Sequence, residues 1–250
     1  MPTEPVNVVG YYGKVPTHGD FVSRGLPTTF IGPWDIWLQE AIHTSRQQLG
    51  DNWLEYYLTS PLYRFVLSPG ICGDSAWMGM LMPSVDRVGR YYPMTISLKD
   101  HEATNPFVAL QKHNGWFEQV ELLALSCLND DFNLDNFYQG ICQLTPNAAG
   151  QSSDKAEPFT NQMSGLGFPA ALRQPLSSIG TMPDILPSVL DKLLKDHCFA
   201  YSVWWTHGSE HVSPSLLICT GLPPFDGIAA MFDGNWQQWG WEGKRYPVQP

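Results

Sequence analysis

Residues 61–98 read PLYRFVLSPGICGDSAWMGMLMPSVDRVGRYYPMTISL, and this stretch holds three strands in succession. Leu62 to Leu67 is rich in β-formers and is broken by Ser68-Pro69-Gly70, where Pro fixes φ and Gly permits a turn. Ala76 to Met82 is apolar almost throughout, the pattern of a strand buried on both faces. Tyr92 to Leu98 alternates Met94, Ile96 and Leu98 against Thr95 and Ser97. The connection Pro83 to Arg90 is too long for a two-residue hairpin turn but suits neighbouring antiparallel strands. Asp86, Arg87 and Arg90 concentrate charge in it. Two readings stand side by side: the charges brace the hairpin end, or the loop is a recognition element on a rigid hairpin.

Upstream, Val6 to Tyr12 forms a strand that stops at Gly13, and Lys14 to Pro27 forms a loop. A helix follows with Pro33 at its first position and Trp34, Trp37, Leu38, Ala41, Ile42, Ser45 and Leu49 on one face. Gly50 stops it, and Asp51 caps a short second helix carrying Trp53, Leu54, Tyr57 and Leu58. Downstream, Asn105-Pro106 opens a helical region in which Trp116, Phe117, Val120, Leu123, Ala124 and Cys127 share a face. Asp135 caps a further helix with Phe137, Tyr138 and Ile141. A small, polar stretch follows, and residues 145–160 read as a mobile loop. Beyond it, Ile185 to Lys195 is helical, Cys198 to Trp205 and Ser215 to Thr220 are strands, and Phe225 to Phe232 is helical. The C-terminal tail carries Trp236, Trp239 and Trp241, which pack back on the body or offer a second docking surface.

Six strands and about six helices, with helices on both sides of the strand groups, point to an α/β fold. The expected form is a layered α/β/α sandwich with a mixed β-sheet flanked by helices. The expected organisation is one domain over residues 1–250. Its N-terminal portion spans residues 1–144, the loop spans 145–160, and a C-terminal portion over residues 161–250 completes the fold.

The chain has 250 residues, 43% hydrophobic and only 15% charged, with ten Trp and a formal net charge of −10. This balance argues against nucleic acid, which requires a basic footprint, and against an anionic membrane surface. Five Cys without a C-x-x-C pair read as reduced core residues of a cytoplasmic protein. No secretory signal opens the chain, and no apolar run approaches membrane-spanning length.

His207-Gly208-Ser209-Glu210-His211 matches the H-x-x-E-H zinc pattern. That chemistry needs the two His one helical turn apart, facing a single metal. Here Gly-Ser interrupts the segment and strands flank it, so no metal site is expected. His18 and Asp20, with Asp74-Ser75 elsewhere, offer the residue types of a hydrolytic triad, but G-x-S-x-G is absent. Cys72 beside Gly73 reads as buried rather than nucleophilic. Walker A and G-x-G-x-x-G loops are absent, and no cofactor is expected.

Gly10-Tyr11-Tyr12-Gly13-Lys14-Val15-Pro16 and Gly19-Asp20-Phe21-Val22-Ser23-Arg24 resemble the opening of the TagF family of type VI secretion accessory proteins. The likeness continues through Pro33-Trp34-Asp35, Tyr57-Leu58-Thr59-Ser60-Pro61 and Asp86-Arg87-Val88-Gly89-Arg90-Tyr91-Tyr92-Pro93. It returns at Trp204-Trp205, Gly208-Ser209-Glu210 and Gly221-Leu222-Pro223-Pro224. The resemblance implies a bacterial cytosolic protein of α/β fold that represses the secretion apparatus post-translationally by binding its forkhead-associated scaffold protein. Some relatives carry a fused protein phosphatase domain, but no phosphatase activity is expected of these 250 residues, and no catalytic set carries over. Two functions of different class remain. One is a non-enzymatic regulator that binds a protein partner through the 14–24 and 83–91 loops, with Asp20, Phe21, Arg24, Asp86, Arg87 and Arg90 as contact residues. The other is a hydrolase or metal-binding enzyme using His18 and Asp20 or the His207–His211 loop.

Overall fold

The computed structural model describes residues 8–100, 105–144 and 182–241. Seven strands form one sheet: β1 (Val9–Gly13), β2 (Val22–Arg24), β3 (Tyr63–Leu67), β4 (Ala76–Met82), β5 (Met94–Asp100), β6 (Tyr201–Thr206) and β7 (Ser215–Thr220). Their order is β2-β1-β5-β4-β3-β6-β7. Every neighbouring pair is antiparallel, where a mixed sheet was expected. Four of the six pairs, β1–β2, β3–β4, β4–β5 and β6–β7, join strands consecutive in the chain, and the two long-range pairs, β1–β5 and β3–β6, also run antiparallel, the latter along Leu67↔Ser202 to Arg64↔Trp205. Residues 182–241 therefore complete the sheet that the N-terminal strands begin. The loop expected at 145–160 lies outside the described residues.

The helices are α1 (Thr28–Leu49), α2 (Trp53–Leu58), α3 (Pro106–Lys112), α4 (Asn114–Leu125), α5 (Leu134–Gln143), α6 (Met182–His197) and α7 (Ala230–Asp233). They form a layer on each face of the sheet, as the α/β sandwich requires. Strand periodicity explains why. On β4, Trp77 and Leu81 join the cluster under α1 and α2, while Met78, Met80 and Met82 join the cluster under α4 and α5. The uninterrupted apolar run of β4 is the signature of this two-sided burial. On the α1 face Trp34 is fully buried and stacks parallel to Trp204, with ring centroids 5.9 Å apart. Its indole Nε1 donates to Thr95 Oγ1 at 2.9 Å. Truncating a buried aromatic of this kind costs about 3–5 kcal/mol. Gly79, opposite Phe65, leaves room for that ring; a Cβ there would sit 2.6 Å from Phe65 Cζ.

Several boundaries differ from the sequence reading. The first helix begins at Thr28, and Pro33 lies inside it rather than at its first position. The added turn buries Phe30, which stacks on Trp34 at 5.4 Å, and this apolar gain outweighs the bond that proline forfeits. Asn52 precedes α2 with no side-chain cap, so Asp51 does not serve as one. The cap of α5 is Asn133, which accepts from the amides of Asp135 and Asn136, and not Asp135 itself. Asn105 caps α3 as its Asn-Pro sequence suggests, with Pro106 at the helix start. Residues 92 and 93 leave the β5 ladder, since Pro93 has no amide to donate. Residues 198–200 leave β6 because Cys198 N still donates to Leu194 O of α6. The short β2 strand arises inside the expected loop. Its exit crosses β1 at Gly10, where a Cβ would meet Gly25 C at 2.7 Å.

Candidate docking surface at the 14–24 and 83–91 loops

Pro83 ends β4, and the chain returns to β5 through a tight hairpin end closed by a Val85↔Tyr91 bridge. Asp86 organises this end from inside. Its side chain is completely shielded from solvent and accepts four hydrogen bonds. Oδ1 takes Val88 N at 3.0 Å and Arg90 N at 2.9 Å; Oδ2 takes Lys14 Nζ at 2.8 Å and Arg90 Nε at 2.7 Å. Burial pushes the Asp86 pKa up, but the donors from Lys14, Arg90 and the turn amides outweigh it and hold the carboxyl well below the usual carboxylate range. Lys14 is itself buried, so the pair is a desolvated ion pair with further hydrogen bonds, the form in which such pairs persist.

The two loops interlock through their backbones. Arg87 N donates to His18 O at 2.9 Å, and Arg90 Nη2 donates to Gly19 O. Ser84 Oγ donates to Lys14 O at 2.7 Å. Below them the Tyr57 hydroxyl donates to Ser84 O at 2.8 Å and accepts from Ser84 N at 3.0 Å. Beside them Phe21 stacks on Tyr12 at 5.6 Å and meets Tyr92 edge-on at 4.8 Å, yet stays 44% exposed. The Tyr12 and Tyr92 hydroxyls both donate to Asp35 Oδ1 at 2.6 Å, and Gln39 Nε2 donates to Asp35 Oδ2 at 2.7 Å. Burial, and then the hydrogen bond to Asp35, push both phenols above their ordinary pKa, so they remain neutral donors.

The structure thus brings Asp20, Phe21, Asp86, Arg87 and Arg90 to one end of the sheet and divides their labour. Asp86 is a buried brace. Arg90 is partly a brace, with its side chain still 56% exposed. Arg87, Asp20 and Phe21 face solvent; the Asp20 carboxylate accepts from Phe21 N at 2.8 Å. Arg24 stands apart on the face of the sheet covered by α5. There it pairs with Asp135 at 2.7 Å and lies over the Tyr138 ring at 4.3 Å. Lys14, Asp35, Tyr57 and Ser84 support the surface and were not singled out from the sequence as contact residues. Lys14, Asp35 and Tyr57 lie in strings that carry the family resemblance and Ser84 lies in the 83–91 loop, but nothing local to them shows which partner each one meets.

The residues considered for catalysis lie differently. The H-x-x-E-H segment is an irregular loop between β6 and β7, turned by Gly208 at φ +92° and closed by Ser209 N to Val212 O at 2.8 Å. His207 and His211 therefore do not share a helix face, and His211 packs edge-on against Tyr56 at 5.0 Å. His18 Nδ1 meets Thr17 Oγ1 at 2.9 Å. Asp74 and Ser75 precede β4, while the His18 loop meets the residues that follow it, so about 20 Å of strand separates them. Burial pushes the Cys72 thiol up to about 12, which leaves it protonated. Among the described residues no group of three or more His, Cys, Asp or Glu is placed to hold a metal ion. Among them, too, no helix is long and apolar enough to cross a membrane. Trp236 and Trp241 pack against the α1-face cluster, and Trp239 Nε1 donates to Asp233 Oδ2 at 2.8 Å, so these three indoles are engaged by the protein's own residues.

Residues 10–144 match the model of the TagF N-terminal domain, type VI secretion system-associated. The solved structures include the crystal structure of PA0076 from Pseudomonas aeruginosa PAO1, with a TM-score of 0.70 and 36% sequence identity. That similarity covers 97% of this chain and 98% of PA0076. A comparison with curated proteins gave no match. The matched 10–144 region is more than half of the chain and contains both interlocked loops, and on that match the chain belongs to the type VI secretion system-associated TagF family.

Proposed function

We propose that this protein is a non-enzymatic repressor of a bacterial type VI secretion system, acting post-translationally in the cytoplasm. On this reading it holds a forkhead-associated scaffold protein of the system and so restrains assembly or firing. The observation that carries the reading is the braced end of the sheet. A buried Asp86–Lys14 pair, clamped from outside by Arg90, fixes two loops whose outer residues, Arg87, Phe21 and Val88, are exposed. Arg and aromatic groups on a rigid platform are the chemistry of protein recognition, because little side-chain or loop entropy is lost on docking.

The test is capture from a lysate of the native host with this protein as bait, read by mass spectrometry. Wild type should recover the scaffold. Arg87→Glu should lose it with an unchanged unfolding curve, since the Arg87 side chain is exposed and makes no ion pair among the described residues. Arg90 is a poorer choice because its guanidinium clamps Asp86 and Gly19. Recovery of no secretion component by well-folded wild type overturns the reading.

A further inference from the structure

Between α1 and the 86–92 segment lies an open cleft of about 520 Å³. Gln39, Ile42 and Arg46 of α1 form one wall, at spacings that place them along one helix face. Gly89, Arg90, Tyr91 and Tyr92 form the other. Two guanidinium groups from different elements therefore line one concavity. Both are held from behind. Arg46 lies over the Trp53 ring at 4.1 Å, and Arg90 is anchored through Asp86. Tyr91 meets both Trp53 and Tyr57 edge-on at 5.8 Å, which fixes the aromatic base on which Arg46 rests.

The charge count in this cleft runs against that of the chain, whose formal net charge is −10. The Asp35 carboxylate is taken up by Tyr12, Tyr92 and Gln39, and that of Asp86 by Lys14, Arg90 and two turn amides. Among the described residues no carboxylate pairs with Arg46 or with the neighbouring Arg87. The nearby exposed acid, Asp20, accepts from its own loop. We infer that the cleft binds an acidic segment of a partner protein, seating a Glu or Asp carboxylate between Arg46 and Arg90. Guanidinium forks suit a planar carboxylate, and exposed Val88 and Phe21 beside the cleft offer apolar contact to the flanking residues of such a segment. A nucleic acid fits poorly, because two or three cations on an acidic protein neutralise too few phosphates. The inference deepens the docking reading above by naming the partner's chemistry.

The test titrates the full-length chain with a short poly-glutamate peptide at low salt and follows the Arg Nε–H and Trp indole resonances. The signals of Arg46, Arg90 and Trp53 should move with the glutamate peptide and not with its glutamine counterpart. Arg46→Gln should weaken the interaction by about tenfold or more, a change expected for loss of one charge-assisted contact. Arg46→Lys should fall between, and Lys112→Gln, on the opposite face, should match wild type. Equal binding of the glutamine peptide, equal loss with Lys112→Gln, or shifts with inorganic phosphate alone would each overturn the inference. Capture of the scaffold at full strength by Arg46→Gln refutes the cleft and leaves the repressor reading intact. Peptide binding without scaffold capture does the reverse.

Discussion

Replacing Tyr57 by Phe removes one oxygen atom from beneath the candidate surface. That oxygen donates to Ser84 O and accepts from Ser84 N, and both residues are buried. The Ser84 carbonyl keeps a partner, since Tyr92 N also donates to it at 3.0 Å. The Ser84 amide is left with none. An orphaned buried donor costs about 1–3 kcal/mol, and we take about 2 kcal/mol for Tyr57→Phe. Tyr63→Phe is the matched control: its hydroxyl is also buried but only donates, to Met231 O at 2.9 Å. Its loss leaves a single acceptor short, which is the cheaper omission, at about 1 kcal/mol. Burial pushes both phenols above their ordinary pKa, so both are neutral across the accessible pH range and the comparison is of hydrogen bonds alone. Urea unfolding should rank wild type above Tyr63→Phe above Tyr57→Phe, with a melting shift of about 4–8 °C for the last. Hydrogen exchange at the Ser84 amide should accelerate by roughly 30-fold, the equivalent of about 2 kcal/mol. If Tyr57→Phe lies within about 0.5 kcal/mol of wild type, or costs no more than Tyr63→Phe, the bracing argument for Ser84 is wrong.

Asp86→Asn should destabilise the protein at neutral pH and do so less as pH falls. The folded pKa of Asp86 lies below its ordinary 3.8, so its contribution is full above 3.8 and is lost as pH drops through the folded value. Urea midpoints measured from about pH 5 down to about pH 2 should therefore converge for the two proteins; a constant gap would refute the assignment. Arg64→Met removes a buried guanidinium that meets Glu121 Oε2 at 2.6 Å on the α4 face. Because Glu121 is itself 28% exposed, the cost should be about 2–3 kcal/mol, below that of breaking a fully buried pair, and Arg64→Met with Glu121→Leu should recover most of it in chemical denaturation.

Periodicity and punctuation made most of the layers legible. The stripe of α1, the two-sided run of β4 and the Asn105-Pro106 helix start each follow from local residues alone. The start of α1 was not legible, because burial of Phe30 against Trp34 and Trp77 is a tertiary gain that overrides the proline signal. Strand β2 escapes a sequence reading because three residues carry too little alternation to register. At the candidate surface, the charge cluster 86–90 was visible, but the sequence left open whether it braces or recognises. The structure assigns bracing to Asp86 through Lys14, a partner 72 residues away, and leaves Arg87 outside. Nearness in sequence groups Arg24 with this cluster, and the fold separates them. Its pairing with Asp135, 111 residues on, depends on α5 covering β1, which no local pattern reveals.

The register of β3 has a consequence for synthesis on the ribosome. Its outer edge is covered by β6, and the hydrogen bond from Tyr201 N to Ser68 Oγ spans 133 residues. At about 5–20 residues per second, roughly 7–30 s pass between emergence of β3 and arrival of its neighbour. Through that interval the nascent five-strand sheet presents Arg64 to Leu67 as an open edge, a template for pairing with other chains. A chain stopped after residue 144 would keep that edge for good. Truncation at the end of the matched family region should therefore yield aggregates rather than a smaller soluble protein.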